Sequence, residues 1–116
     1  MSTIIDFEED QIKSVTQIDS AKTYISSSTK TANYTTVSTD QIIYVNSSGG
    51  AFTITLDAAP STNKTIDITD INGSCSTYTV TIDGNGKNII GNTTALMSAN
   101  YISYTLRYNG TEWNII

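Results

Sequence analysis

Asp67 and Asp70, three residues apart in "DITD", form the carboxylate pair whose spacing comes nearest to acid–base chemistry. On a strand, side chains alternate between faces, so an odd separation sends the two carboxylates to opposite sides and no substrate can sit between them. A glycan hydrolase working with two carboxylates therefore lacks a convergent pair. The sequence contains no histidine, which removes the usual general base at neutral pH, the usual activator of a nucleophile and the commonest zinc ligand. The stretch "DGNGKN" at 83–88 offers Asp and Asn oxygens suited to a hard cation. The further acidic ligands of a calcium loop are missing, however, and the same residues suit a tight turn with positive φ. Cys75 is the single cysteine and lies among turn residues in "GSCST", so no intramolecular disulfide forms. An incidental small side chain in a turn or edge and an inter-chain bridge or reactive thiol are its open readings. The residues point to no metal, no cofactor and no enzyme.

Recognition is better supplied than catalysis. Tyr34, Tyr44, Tyr78, Tyr101, Tyr104, Tyr108 and Trp113 each join a flat apolar face to a polar tip, which suits sugars and protein interfaces alike. Tyr101, Tyr104, Tyr108 and Trp113 are the set placed for recognition of a glycan or protein, or for packing in the core or at a subunit interface. The net charge of −5 and the scattering of Lys13, Lys22, Lys30, Lys64, Lys87 and Arg107 argue against a nucleic-acid partner. No apolar run is long enough to insert in a membrane, and Met1 is not followed by a basic-then-apolar signal pattern. Six Asn-x-Ser/Thr sequons begin at Asn33, Asn46, Asn63, Asn72, Asn92 and Asn109, as chance produces in a chain this rich in Asn, Ser and Thr.

The elements that must position these residues fall into two textures. Residues 1–31 contain the acidic "DFEEDQ" and a narrow apolar stripe through Ile5, Ile12, Val15, Ile18, Ala21 and Ile25. The spacing suits an amphipathic helix over 8–25 with Asp6 as N-cap, or else an extended arm. Such a seam needs partner chains. Ile4, Ile5, Phe7, Ile12, Val15 and Ile18 are accordingly expected to be held by sibling chains or another protein, with residues 1–31 as an attachment segment. Residues 32–116 form the second unit, a β-rich head. There the period is two: "QIIYV", "AFTITL", "KTIDITDI", "YTVTID" and "YISYTLRY" alternate between apolar and polar, separated by breaks rich in Gly, Asn and Pro. The break "NSSGG" predicts a hairpin between the first two strands. "DGNG" predicts a tight return into "KNII", and Asn109-Gly110 a last hairpin setting Trp113 and Ile115 beside Leu106. The expected fold is all-β, a small antiparallel sandwich or barrel-like head.

Four motifs in order carry a resemblance. They are "Y-x-x-x-x-x-D-x-x-I-x-V" from Tyr34, "G-x-x-T-I-T-L-x-A-A" from Gly50, "V-T-I-D-G-N-G-x-x-I-x-G" from Val80, and "G-T-x-W-x-I-I" from Gly110. Over 33–116 the chain resembles a β-module that recurs in bacteriophage tail-fibre and head-fibre proteins and other virion surface proteins. It departs from the module's usual "T-L-P-A-A", carrying Asp57 after Leu56 and Pro60 three places later. The resemblance implies a homotrimer and a non-enzymatic structural role. The chain would be a short fibre or decoration protein, bound through its N-terminal segment to a capsid or tail protein. It would be made in the host cytoplasm and displayed on the virion surface. A receptor- or carbohydrate-binding module of a tail fibre is the alternative.

Overall fold

The computed structural model describes residues 28–116. The expected anchor residues Ile4, Ile5, Phe7, Ile12, Val15 and Ile18, and the choice between helix and arm, lie outside the described residues. Among the described residues eight strands occur: β1 (Tyr34–Thr35), β2 (Ile42–Val45), β3 (Phe52–Thr55), β4 (Thr65–Asp70), β5 (Val80–Asp83), β6 (Thr94–Met97), β7 (Ser103–Tyr108) and β8 (Trp113–Ile115). The described residues contain no helix, and the all-β class holds.

The expected antiparallel arrangement does not. The strands form two four-stranded sheets, ordered β1-β3-β5-β6 and β2-β4-β7-β8. From β1 to β5 the chain crosses from one sheet to the other at every connection. Like strands therefore stack in parallel, with Tyr34 beside Ile54, Phe52 beside Val80 and Ile42 beside Asp67. This is a short coil of rungs, each contributing one strand to each sheet. Antiparallel pairing begins only later, between β5 and β6, β4 and β7, and β7 and β8.

The predicted hairpin across "NSSGG" is an arch instead. A hairpin and an arch both need a short polar break between alternating strands, so the local pattern is the same. The difference is whether the second strand bonds beside the first or faces it across the core. Here Ile43 and Val45 of β2 meet Phe52 and Ile54 of β3 within one buried cluster, from opposite sheets. The arch is held by the fully buried Ser47, whose hydroxyl donates to the Tyr78 carbonyl of a later rung at 2.7 Å. Alternation usually marks antiparallel strands, because most parallel strands are covered on both faces. In this coil each sheet keeps one wet face, so parallel strands carry the same signature.

The residues of "DGNG" turn as expected, with Asn85 at φ 54 and Gly86 at φ 90, but "KNII" does not return as a strand. The ladder resumes at Thr94, opposite Asp83. Between them Ile89 reaches the other sheet and lies parallel to Trp113, with the Trp113 N–H donating to the Asn88 carbonyl at 2.8 Å. The outer edge of β8 is thus covered. At the opposite edge of that sheet, Lys30 bridges in parallel to Val45. The last hairpin is as predicted: Leu106 pairs with Ile115 and Tyr108 with Trp113. The Trp113 ring lies 5.4 Å from that of Tyr108, tilted by 52°.

Candidate functional site

One end of the molecule is organised by Asp70. Parity along β4 points its side chain inward with Ile66 and Ile68, and it is 1% exposed. A carboxylate there must be satisfied internally. Five backbone N–H groups do so: Asn72 and Gly73 donate to Oδ1, and Ser74, Cys75 and Tyr101 to Oδ2, at 3.0–3.2 Å. Burial pushes the Asp70 carboxyl up, but the N–H groups of Tyr101, Asn72, Cys75 and Gly73 outweigh it and hold the group at about 2. The carboxylate binds the loop at 71–79 to the turn Ala99–Ile102, which the Ile102 N–H closes on the Ala99 carbonyl. Ser76 N–H donating to Asn100 Oδ1 at 2.9 Å makes a second tie.

The third residue of that turn is Tyr101, at φ 61. A turn with positive φ at this position ordinarily carries Gly or Asn. A bulky side chain there costs about 1–2 kcal/mol. Tyr101 is 68% exposed, and its ring lies against Gly73, where a Cβ atom would meet ring carbons at 2.5 Å. Only a glycine leaves room beneath this ring.

A second polar cluster ties the connection after β1 to that after β3. The Lys64 ammonium donates to Asp57 Oδ2 at 2.8 Å and to the Val37 and Ser38 carbonyls, and Thr36 donates its hydroxyl to the other Asp57 oxygen. Burial raises the Asp57 pKa, but bonds from Lys64 and Thr36, with the Lys64 charge, bring it below the ordinary carboxylate value. Beside it, the Tyr34 hydroxyl donates to Asp40 Oδ2 at 2.7 Å. That bond, then burial and the charges of Asp40 and Asp57, push the Tyr34 hydroxyl up to about 12. The Lys30 ammonium sits 3.7 Å from the centre of the Tyr34 ring.

The outer face of the β2-β4-β7-β8 sheet carries an open cleft of about 700 Å³, lined in part by Asp67, Arg107, Ile42 and Ile116. Asp67 lies opposite Thr105 and Arg107 opposite Thr65, so the two charges are diagonal neighbours on this face. The sole ion pair among the described residues is Lys64–Asp57. Parity does separate Asp67 from Asp70, which faces the core. No group of three or more His, Cys, Asp or Glu able to hold a metal occurs among the described residues.

The four aromatic residues singled out from the sequence do not share a surface. Tyr101 is exposed, and Tyr104 is half-buried with its hydroxyl donating to the Leu96 carbonyl at 3.0 Å. Tyr108 is buried and Trp113 completely so, which removes both from any surface platform. Indole Nε1 of Trp113 finds no hydrogen-bond partner among the described residues. Cys75 is in a turn as expected and is fully buried, and burial with the nearby Asp70 charge raises its thiol pKa. The Asp70 nest was missed because the turn residues after it signal a loop without saying which carboxylate will hold it. The cleft was missed because only the β4–β7 register brings Asp67 and Arg107 to diagonal positions on one face. No known family and no curated protein matches this chain.

Proposed function

We propose that the chain is a non-enzymatic structural protein of a virion. In this reading it is a short fibre or decoration protein, anchored through residues 1–31 and displaying residues 32–116 as a homotrimeric β head. The observation that carries the reading is the use made of buried carboxylates. Asp40, Asp57 and Asp70 are all buried, and each is engaged by hydroxyl, ammonium or backbone N–H donors from the loops around it. Groups that an enzyme would leave available are here occupied in fastening loops. Thr53, Thr55, Thr81, Thr69, Ser103 and Thr105 make the outward faces of the strands rich in hydroxyls, with Asp67, Asp83 and Arg107 as the charged residues among them. Sedimentation equilibrium tests the assembly: a trimer mass at micromolar concentration is expected, and a monomer overturns the trimeric fibre. Labelling of purified particles with an antibody against the chain tests the location.

Recognition of a host surface is the second reading, and one observation favours it. Tyr101 is a large aromatic residue held exposed in a backbone conformation that favours glycine.

A further inference from the structure

We propose that Tyr101 is the stacking platform of a binding site for a neutral hexopyranose. The inference rests on the recognition reading and is independent of the virion reading. Three features place the ring, two by holding the backbone that carries it and one by lying beneath it. Its backbone N–H donates to Asp70, a carboxylate that also holds four N–H groups of the facing loop. The Ser76–Asn100 hydrogen bond fixes the two loops to each other. Bare backbone at Gly73 supports the ring, and 68% of the residue remains open to water. A ring whose backbone is tied and whose underside is supported loses less freedom when a ligand covers it, which is how rigid aromatic contacts gain affinity.

The surroundings select the ligand. A flat aromatic face with a polar tip matches the C–H face of a pyranose ring. Asn72 and Asn100 are exposed beside Gly73 and Tyr101; Asn72 Nδ2 donates to Ser74 Oγ and Asn100 Oδ1 accepts from Ser76, so it is the Asn72 oxygen and the Asn100 amide N–H that face sugar hydroxyls as acceptor and donor. Loop 71–79 and turn Ala99–Ile102 contain no Lys, Arg, Asp or Glu, and the chain has a net charge of −5. Nothing there compensates an acidic sugar, so the site takes a neutral one.

Saturation-transfer NMR of the full chain with maltohexaose, cellohexaose, chitohexaose and lacto-N-tetraose tests this. At least one is expected to bind saturably, with a Kd on the order of 1 mM. Tyr101→Gly should weaken binding by about tenfold or more with the melting temperature kept or raised, and Tyr101→Phe should retain affinity within about threefold. If Tyr101→Gly does not fold, Tyr101→Asn, which tolerates the same φ, carries the comparison. Sugar binding unchanged by the substitution overturns the Tyr101 site while leaving the recognition reading in place. Absence of binding by the parent protein to all four overturns the neutral-sugar site, and binding to acidic glycans alone would preserve recognition without it.

Discussion

Replacing Asp70 by Asn keeps the size of the side chain but exchanges one accepting oxygen for a donor, beside N–H groups that have no other partner. Leaving such buried groups unmatched costs about 2–4 kcal/mol, and Asp70→Asn should lower the urea midpoint accordingly. The same carboxylate sets the behaviour in acid. Its folded pKa of about 2 lies below the ordinary 3.8, so its stabilisation is present above pH 3.8 and is lost as pH falls toward 2. Asp57 is lowered too and acts in the same direction. Urea midpoints should therefore hold from pH 7 to about pH 5 and fall below about pH 4, less steeply in Asp70→Asn. Trp113 raises a different matter. Trp113→Ala removes a fully buried ring and should cost about 3–5 kcal/mol, seen as loss of the folded head by circular dichroism. Trp113→Phe also deletes the unpartnered Nε1, so part of its packing loss is offset and it should cost less than half as much.

At the scale of elements, the arch between β2 and β3 makes a prediction that the hairpin reading contradicts. Tyr44 lies beside Thr69 on the outer face, whereas a hairpin whose loop took in Ala51 with "NSSGG", as inward Val45 opposite inward Phe52 requires, would set it beside Thr53. Adjacent strands lie about 4.8 Å apart, within disulfide range, while opposed sheets stand about 10 Å apart. In a Cys75→Ala background, Tyr44→Cys with Thr69→Cys should oxidise to an intramolecular disulfide, and Tyr44→Cys with Thr53→Cys should not. Peptide mapping without reductant distinguishes the two.

The described residues as a whole form a coil of parallel rungs closed by antiparallel strands, and its edges are treated unequally. Ile89 covers β8 and Lys30 meets β2, while β1 is two residues long. The last edge, β6, is a four-residue strand bearing the exposed Leu96. A short edge with an exposed apolar side chain is a place where a second chain can pair. Leu96→Lys should therefore lower the sedimentation mass if trimer contacts use this edge, while leaving the intrachain fold and its melting transition largely intact.

Strand positions were legible because they follow from alternation, which burial on one face imposes directly on the sequence. Ile66 and Ile68 inward with Asp67 outward, and the pairing of Leu106 with Ile115 through Asn109-Gly110, needed no knowledge of distant residues. The turn conformation of Asn85 and Gly86 was equally local, since few residues accept positive φ. What decided the rest was which strand lies beside which. Parallel rungs, the Asp67–Arg107 cleft and the contact of Ile89 with Trp113 depend on pairings between residues far apart in the chain, and periodicity carries no record of a partner. Trp113 and Tyr101 show the same limit from two sides. Both are large aromatics near turns, yet one fills the space between two sheets and the other rests on a glycine in water. Side-chain type determined what each could do, and only the tertiary structure decided which of them meets solvent.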